Sequence, residues 1–328
     1  MGLTEEGLIK VDGFASRWVR LPGGVKAHYQ TAGDTGPAVV LLHGGIIGSS
    51  GIAGWRFMAP FLATNGFRVY CPDMPSFGLT EDPEEFYQPG WVGHVDFLHD
   101  FTSALCLDRF HMAGNSMGCQ NTVNYVVAHP ERVESYALIA GSIGDIVSDE
   151  VVSSFWKSTS TEKKGDSRNN TFDGTATSMK QMMGEVVLRE GAVDDDLLEM
   201  RTLIGNRTRP QFDRHRERMS IFPLPVLDQV KLSTQGRFDR LDIPGIYLYG
   251  MDDTLMPVEF GYLQEDRLPN VQFFYPENCG HQGQTDQPEM FNQVFLEFFR
   301  DGQVTRQTAD WAGVSKRRAE LETRVDQL

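Results

Sequence analysis

The sequence has few cysteines, an excess of acidic over basic residues and no long apolar run. Its 328 residues include four cysteines, at positions 71, 106, 119 and 279, whose spacing suits neither a disulfide framework nor a zinc site. No run of about 18 apolar residues occurs, so we expect no membrane-spanning helix. The formal net charge of −15 opposes binding to nucleic acid and to anionic lipid. The first residues are acidic, unlike a secretory signal. These features predict a cytoplasmic protein that binds neither nucleic acid nor membranes.

Motifs for metal or cofactor chemistry are missing as well. The histidines and cysteines are not grouped at metal-ligand spacing, and no glycine-rich dinucleotide fingerprint occurs. We therefore expect a protein without metal or cofactor that acts on a small-molecule substrate through its own side chains.

Apolar runs of strand length alternate with helical patterns in both outer parts of the chain. The strand patterns cover residues 25–30, 38–42, 67–71, 108–113, 133–140, 243–250 and 271–275. The helical patterns cover residues 90–107, 119–128 and 288–300. Because strands that alternate with helices form parallel sheets covered on both faces, the predicted fold class is α/β.

Residues 142–240 interrupt this alternation and predict an inserted helical cap. Residues 179–188 and 194–204 have amphipathic helical patterns there, and no apolar strand run appears. The predicted domains are a core of residues 1–141 and 241–300, a cap of residues 142–240, and a C-terminal extension of residues 301–328. We favour a partly ordered extension over one that docks on a neighbouring subunit through Trp311. We expect a homodimer or a larger homo-oligomer.

The segment Gly114-Asn115-Ser116-Met117-Gly118 has the Gly-x-Ser-x-Gly pattern of a nucleophile elbow. In such an elbow the serine occupies a sharp turn between a strand and a helix, and the flanking glycines avoid side-chain overlap. A strand pattern precedes this segment and a helical pattern follows it, as the elbow requires. Ser116 is therefore the candidate nucleophile.

A serine nucleophile needs a base, and the base needs an acid that orients it. After this kind of elbow, the acid and then the histidine follow the serine along the chain. Asp252 and Asp253 follow the strand pattern that ends at Gly250, and His281 follows the last strand pattern. We assign His281 as the base and Asp253 as the acid, because the Gly-x-x-Asp spacing places that carboxylate beyond the strand end. Asp252 is the alternative.

The glycines of His43-Gly44-Gly45 directly follow the strand pattern of residues 38–42. They let the backbone approach a ligand closely. A tetrahedral intermediate develops negative charge on oxygen, which preorganised backbone N–H groups stabilise. The N–H groups of Gly45 and Met117 are the predicted donors of this oxyanion hole.

Together these motifs resemble the α/β-hydrolase fold, and within it the meta-cleavage product hydrolases, which cleave carbon–carbon bonds in ring-opened aromatic compounds. The resemblance covers about residues 25–300. It rests on His43-Gly44-Gly45, Asp73-x-Pro75-x-Phe77, Gly114-Asn115-Ser116-Met117-Gly118, Asp253 and Gly280-His281. It implies a mostly parallel eight-stranded sheet with helices on both faces and an inserted helical cap.

The same resemblance implies substrate contacts. Residues 195–201 resemble the cap segment whose arginine faces the carboxylate–enol end of the substrate, so Arg201 is expected to anchor the substrate. An arginine on the surface of a helix is the alternative. Asn115, Gly44, Ile46 and Gln282 are expected to contact the substrate as well.

Some positions depart from the family pattern. Gln282 replaces an aromatic residue after the histidine, and Cys119 replaces a glycine after the elbow. Ile46-Ile47 replaces Gly-Pro in the oxyanion loop, and Ser76 replaces a glycine after Asp73. These changes affect the pocket wall rather than the catalytic residues. We interpret Cys119 as a small packing residue.

Three hypotheses follow. The first is a serine-dependent hydrolase that cleaves a carbon–carbon bond next to a ketone. The second keeps Ser116, His281 and Asp253 but makes the protein a carboxylesterase or lactonase, which the altered Gln282 and Ile46 positions support. The third is a non-catalytic ligand-binding receptor of the same fold.

Overall fold

The computed structural model of the protein describes residues 2–82, 86–88, 90–147, 151, 172–219 and 230–318. Eight strands in these ranges form one sheet in the order β1-β2-β4-β3-β5-β6-β7-β8. They are Ala15–Arg20 (β1), Lys26–Ala32 (β2), Ala38–Leu42 (β3), Arg68–Pro72 (β4), Phe110–Asn115 (β5), Val133–Ile139 (β6), Gly245–Leu248 (β7) and Val271–Phe274 (β8). β2 pairs antiparallel with β1 and β4, and the other neighbours are parallel. The predicted α/β fold class with a mostly parallel eight-stranded sheet is confirmed.

Ten α-helices that begin and end within the described ranges accompany the sheet. They are Gly51–Trp55 (α1), Met58–Thr64 (α2), Trp91–Ala104 (α3), Met117–Ala128 (α4), Ala176–Gly184 (α5), Asp195–Met219 (α6), Val258–Glu265 (α7), Gly283–Asp286 (α8), Pro288–Asp301 (α9) and Arg306–Trp311 (α10).

The helices cover the sheet on both faces, because alternate residues of a buried strand point to opposite sides. Val40 and Leu42 of β3 belong to an apolar cluster that includes α3 and α4. Val39 and Leu41 of the same strand belong to a second cluster that includes α1, α2 and α9. The central strands are therefore buried on both faces, which explains their continuous apolar sequences.

β1 has no counterpart among the strand patterns of the sequence. It lies at the edge of the sheet, pairs only with β2, and has exposed polar residues such as Arg17. An edge strand buries little apolar surface, so its sequence lacks the apolar run that marks the inner strands.

α5 and α6 lie between β6 and β7, within the predicted cap. The pattern of residues 179–188 predicted a longer helix, but α5 ends at Gly184 and residues 185–189 follow a non-helical path. The pattern of residues 194–204 predicted a shorter helix, but α6 continues to Met219 through Pro210 and a strongly charged stretch. Residues 152–171 and 220–229 lie outside the described ranges. The division into core and cap stays a prediction.

The C-terminal extension docks on the protein's own sheet as far as residue 318. Val314 pairs antiparallel with Phe274 of β8. The Ser315 N–H donates to the Phe273 carbonyl at 2.8 Å, and the Tyr275 N–H donates to the Gly313 carbonyl at 2.7 Å. The described part of the extension thus covers an otherwise open strand edge, and the expectation of a partly ordered extension stays a prediction. Residues 319–328 lie outside the described ranges.

Two basic residues fasten this extension at its end. The Arg317 guanidinium lies 3.1 Å from the carboxylate of Glu265 and 3.0 Å from that of Asp266. The Arg318 guanidinium donates to the Leu268 carbonyl at 2.8 Å. Trp311 is 55% exposed. Within the described ranges, no helix is both long and apolar enough to cross a membrane.

Candidate active site

Ser116 lies at a sharp turn between β5, which ends at Asn115, and α4, which begins at Met117. Its φ of 57° is a left-handed backbone conformation that a non-glycine residue rarely adopts. A Cβ at Gly114 would overlap the backbone of Gly118, and a Cβ at Gly118 would overlap the Leu42 carbonyl. Both glycines are therefore needed for this turn, and the turn presents Ser116 at the carboxyl edge of the sheet.

His281 and Asp253 lie together on the loops that follow β8 and β7. The Nδ1–H of His281 donates to Asp253 Oδ2 at 2.8 Å, and both side chains are buried. Asp253 Oδ1 accepts the N–H groups of Leu255 and Met256, each at 2.8 Å. The side chain of Asp252 is exposed. The structure thus brings Asp253, and not Asp252, to the histidine.

The other ring nitrogen of His281 is available for chemistry. Its Nε2 is buried and has no hydrogen-bond partner among the described residues, so it is not yet bonded to Ser116 Oγ. Because the carboxylate of Asp253 accepts the Nδ1 proton, a neutral imidazole has its lone pair on Nε2. Such a nitrogen can take a proton, and catalytic hydrogen bonds often shorten only when substrate is bound.

The loop after β3 lies directly against the elbow. A Cβ added to Gly44 would lie 3.5 Å from Ser116 Cβ, and one added to Gly45 would lie 2.9 Å from Met117 Cβ. Nothing in the described part of the chain accepts the backbone N–H of Gly45 or Met117. These two N–H groups are therefore free to donate to an oxyanion beside the serine.

His43 holds this loop rather than taking part in proton transfer. Its Nδ1–H donates to the Gly44 carbonyl at 2.8 Å, and its Nε2 accepts the Met74 N–H at 3.1 Å. Burial lowers the pKa of His43, while nearby Asp73 acts in the opposite direction. A neutral ring satisfies both bonds, so His43 has a structural role.

Asn115 connects the elbow to the histidine loop. Its side-chain amide donates to the His281 carbonyl at 2.8 Å and to the Ile139 carbonyl at 3.4 Å. In this structure the amide nitrogen is thus occupied by backbone. The carboxamide oxygen of Asn115, which lies beside Gly44, is therefore the atom that can make the expected contact with substrate.

Arg201 of α6 is buried, with 1% of its surface exposed, so it is not a surface arginine. Its guanidinium donates to Ser49 Oγ at 3.4 Å, and its Nε has no partner in the described ranges. Burial, and then the nearby charge of Arg56, lower the pKa of Arg201 to about 9. The backbone of Arg201 lies so close to Gly48 that a Cβ there would overlap its carbonyl. A cation therefore lies buried beside the oxyanion loop without an acidic partner among the described residues.

The remaining predicted contact residues, Ile46 and Gln282, are both buried near this loop and the histidine. The Gln282 N–H donates to the Val186 carbonyl at 3.1 Å, which joins the histidine loop to the residues that follow α5. Cys119 is fully buried, and burial raises the pKa of its thiol to about 12. A protonated thiol at neutral pH supports the interpretation of Cys119 as a packing residue.

Sequence reasoning missed Asp286, which lies five residues after His281. Its Oδ2 accepts the Gly280 N–H at 2.8 Å. Its Oδ1 accepts the N–H groups of Leu188 at 2.7 Å and Arg189 at 3.0 Å. An acidic residue close behind the candidate base was the available signal, but these partners become neighbours only in the folded chain.

As for metal sites, no group of three or more histidine, cysteine or acidic side chains in the described ranges is arranged to hold an ion. The absence of a cofactor stays a prediction.

Comparison with known proteins supports the same fold and the same resemblance. Residues 37–288 match the family model of the alpha/beta hydrolase fold. The 2-hydroxy-6-oxo-6-(2'-aminophenyl)hexa-2,4-dienoic acid hydrolase of Metapseudomonas resinovorans is 29% identical over 88% of this chain and 92% of its own length. The 2-hydroxy-6-oxo-6-phenylhexa-2,4-dienoate hydrolase of Burkholderia cepacia is 27% identical over 84% of this chain and 92% of its own length.

A solved structure supports the resemblance. A serine hydrolase involved in carbazole degradation is 26% identical, with a TM-score of 0.69, over 88% of this chain and 99% of the solved chain. These relatives confirm the resemblance to the meta-cleavage product hydrolases. The family model covers well over half of the sequence and includes Ser116, Asp253 and His281. The chain therefore belongs to the alpha/beta hydrolase fold family.

Proposed function

We propose that the protein is a serine-dependent hydrolase that cleaves a carbon–carbon bond next to a ketone in a ring-opened aromatic compound, a 2-hydroxy-6-oxo-dienoate. The observation that carries the substrate assignment is Arg201, a buried cation beside the oxyanion loop without an acidic partner in the described residues. Burying an unpaired charge is unfavourable unless a ligand neutralises it. A substrate with a carboxylate supplies that partner, and the relatives named above are hydrolases of such acids.

In this proposal Ser116, His281 and Asp253 form the catalytic triad. His281 Nε2 takes the proton of Ser116, or of a water molecule, and Asp253 orients the ring and stabilises its charged form. The oxygen nucleophile adds to the ketone carbon. The N–H groups of Gly45 and Met117 hold the resulting oxyanion.

The carbon–carbon bond breaks after this addition. The substrate must already have changed from its dienol form to its keto form, which moves the enol proton to the carbon that the scissile bond joins to the ketone carbon. Collapse of the tetrahedral carbon then leaves the bonding electron pair on a conjugated fragment, which accepts the proton that His281 holds. Where Ser116 is the nucleophile, the acyl group stays on its oxygen until a water molecule, activated by His281, hydrolyses this ester and restores the serine. One water molecule is consumed in the whole reaction, and the products are a carboxylic acid and a shorter 2-hydroxydienoate.

The other predicted residues shape the pocket. Arg201 holds the acidic end of the substrate, and Asn115, Gly44, Ile46 and Gln282 contact its polar head. Residues 142–240 act as the cap over this pocket, since α6 presents Arg201 to the loop after β3.

A carboxylesterase or lactonase is the second candidate. Ile46 and Ile47 are apolar and buried where the family pattern has Gly-Pro, and Gln282 replaces an aromatic residue. A pocket wall altered in this way suits a neutral ester or lactone. The receptor hypothesis is weaker, because a pure receptor needs neither a strained serine nor a histidine oriented by a carboxylate.

A paired assay tests these candidates. The purified protein is given a ring-opened phenyl dienoate and, separately, a simple aryl ester, with Ser116→Ala as the control for each. We expect the dienoate to have the higher kcat/KM and the variant to lose both activities. Preference for the ester would favour the second candidate. Failure of a fluorophosphonate to label Ser116, together with no turnover, would favour a receptor.

We also propose that the enzyme works in the cytoplasm as a homodimer or a larger homo-oligomer. All four cysteines are free, and Cys106 is exposed, which suits a reducing compartment. The exposed Trp311 offers an apolar contact for a second copy. Light scattering after size exclusion measures the mass directly, and a mass of 36.8 kDa would contradict the oligomer.

A further inference from the structure

A short segment of the cap region, residues 185–189, contacts both loops that bear the candidate base and acid. The Glu185 carbonyl accepts the hydroxyl of Thr254, which adjoins Asp253, at 3.0 Å. The Val186 carbonyl accepts the Gln282 N–H, next to His281, at 3.1 Å. The segment therefore links the acid loop and the histidine loop to α5, which precedes it.

Asp286 strengthens this link from the other side. One carboxylate oxygen accepts the Gly280 N–H, and the other accepts the N–H groups of Leu188 and Arg189. Asp286 is buried, and its two oxygens face two different segments of the chain. It thereby joins the residue before His281 to the cap region through charge-assisted hydrogen bonds, which are stronger than neutral ones.

Leu188 and Gly280 complete the contact by packing. A Cβ added to Gly280 would lie 3.0 Å from Leu188 Cγ and 3.1 Å from Asp286 Oδ2. The glycine thus lets the carboxylate and the leucine both approach the backbone that leads into His281. Gly280 does not have a positive φ, so the need is for space and not for backbone freedom.

We infer that Asp286 is a positioning residue, which holds His281 in its catalytic place by fastening residues 185–189 of the cap region to the histidine loop. This inference rests on the proposed function, in which His281 is the base. It goes further because it couples the position of the cap to the geometry of the base. When the cap region moves away from residues 280–286, His281 loses part of the support that orients its Nε2.

Asp286→Asn tests this coupling with little change in shape. An asparagine has one acceptor oxygen where the aspartate uses two, so it keeps either the Gly280 bond or the Leu188 and Arg189 bonds. A small displacement of a catalytic group can reduce turnover by about 10- to 100-fold. We expect kcat to fall by about this factor and KM to stay within about threefold, because Arg201 and the oxyanion loop are untouched.

Amide hydrogen exchange gives a second measurement that needs no turnover. In Asp286→Asn, peptides that contain residues 185–189 and 278–284 should exchange faster together, while peptides from β3 and β5 should not. Gly280→Ala provides an independent variant, because its Cβ crowds the same carboxylate without backbone strain. It should show the same joint increase in exchange and the same fall in kcat.

Asp145→Asn is the matched control. Asp145 Oδ1 accepts the N–H groups of Thr234 at 2.6 Å and Gln235 at 3.0 Å, so it joins two segments of the predicted cap region without contacting the histidine loop. This variant should keep kcat within about twofold. If Asp145→Asn lowers kcat as much as Asp286→Asn does, general loosening explains the loss and the inference is overturned.

The outcomes separate this inference from the proposed function. An active wild-type enzyme whose Asp286→Asn variant keeps its kcat, or whose two peptides exchange independently, overturns the inference alone. A wild-type protein inactive on both dienoate and ester overturns the proposed function. The exchange experiment still decides the linkage in that case.

Discussion

Replacing Arg201 with methionine removes a buried charge while keeping a long side chain. Burial and the charge of Arg56 lower the pKa of Arg201 from its usual value to about 9. At about 1.4 kcal/mol per pH unit, this difference corresponds to a penalty on the order of 5 kcal/mol for the charged form in the folded protein. Relaxation of the neighbours reduces the gain, so we expect Arg201→Met to be more stable by about 1–4 kcal/mol. A chain of this size would then unfold several degrees higher.

The same substitution should damage activity in a substrate-specific way. An anionic substrate loses its charged partner, and leaving such a group buried and unpaired costs about 2–5 kcal/mol. For the dienoate, kcat/KM should therefore fall by roughly 30- to 5,000-fold. A neutral aryl ester has no carboxylate to lose, so its kcat/KM should change by no more than about threefold.

Two assays on one variant make the reasoning testable. Thermal or denaturant unfolding measures the stability, and steady-state kinetics on the dienoate and the ester measure the specificity. Arg56→Met is the matched control. Arg56 is also buried, but its guanidinium donates to the carbonyls of Ala53 and Ala192, so its loss should destabilise the protein. Equal losses on both substrates in Arg201→Met, or a fall in its stability, would refute the assignment of an anion-binding role.

Further expectations concern the base, the oxyanion hole, a buried acid and the extension. His281→Ala should reduce turnover on the order of 10²–10⁴-fold in steady-state assays without a comparable loss of stability. Gly45→Ala places a Cβ 2.9 Å from Met117 Cβ, so kcat should fall on the order of 10²-fold while fluorophosphonate labelling slows in parallel. Burial would raise the pKa of Asp73, but His28 and the Gly51 N–H bring it below its usual 3.8. That contribution to stability is present above pH 3.8 and is lost as pH falls through the folded pKa. Asp73→Asn should therefore lower the free energy of unfolding by about 3–5 kcal/mol at pH 7, and the difference from wild type should shrink in acid. Deleting residues 313–328 keeps Trp311 but opens the edge of β8, and sedimentation should then detect more concentration-dependent association than in the wild type; unchanged mass would argue against an edge-covering role.

Much of the sheet could be predicted from sequence because a strand that is buried on both faces has a continuous apolar sequence, as β3 does. The elbow after β5 could be predicted as well, because the two glycines around Ser116 are visible in the sequence without any tertiary contact. β1 has no such sequence pattern, because it is an edge strand. It forms its sheet hydrogen bonds with β2, and its side chains lie at the surface. Its pairing is a property of its neighbour rather than of its own pattern.

The helices after residue 175 show where local patterns stop being informative. Residues 185–188 fit an amphipathic helix, but their backbone groups bond to Gln282 and Asp286, some 100 residues away. α6 continues through Pro210, which local rules treat as a helix breaker. In both places, tertiary contacts outweigh an intrinsic preference of only a few tenths of a kcal/mol to about 3 kcal/mol per residue.

The sequence by itself determined the chemistry that local geometry demands: a strained serine between two glycines, a glycine loop after an inner strand, and an acid and a histidine placed after later strands. Only the tertiary structure decided which of Asp252 and Asp253 turns toward His281, because neighbouring residues at a strand end point in different directions. Tertiary packing also buried Arg201 beside the oxyanion loop and set Asp286 between two distant segments. Those features depend on distances between residues far apart in the chain, and such distances arise only when the core packs.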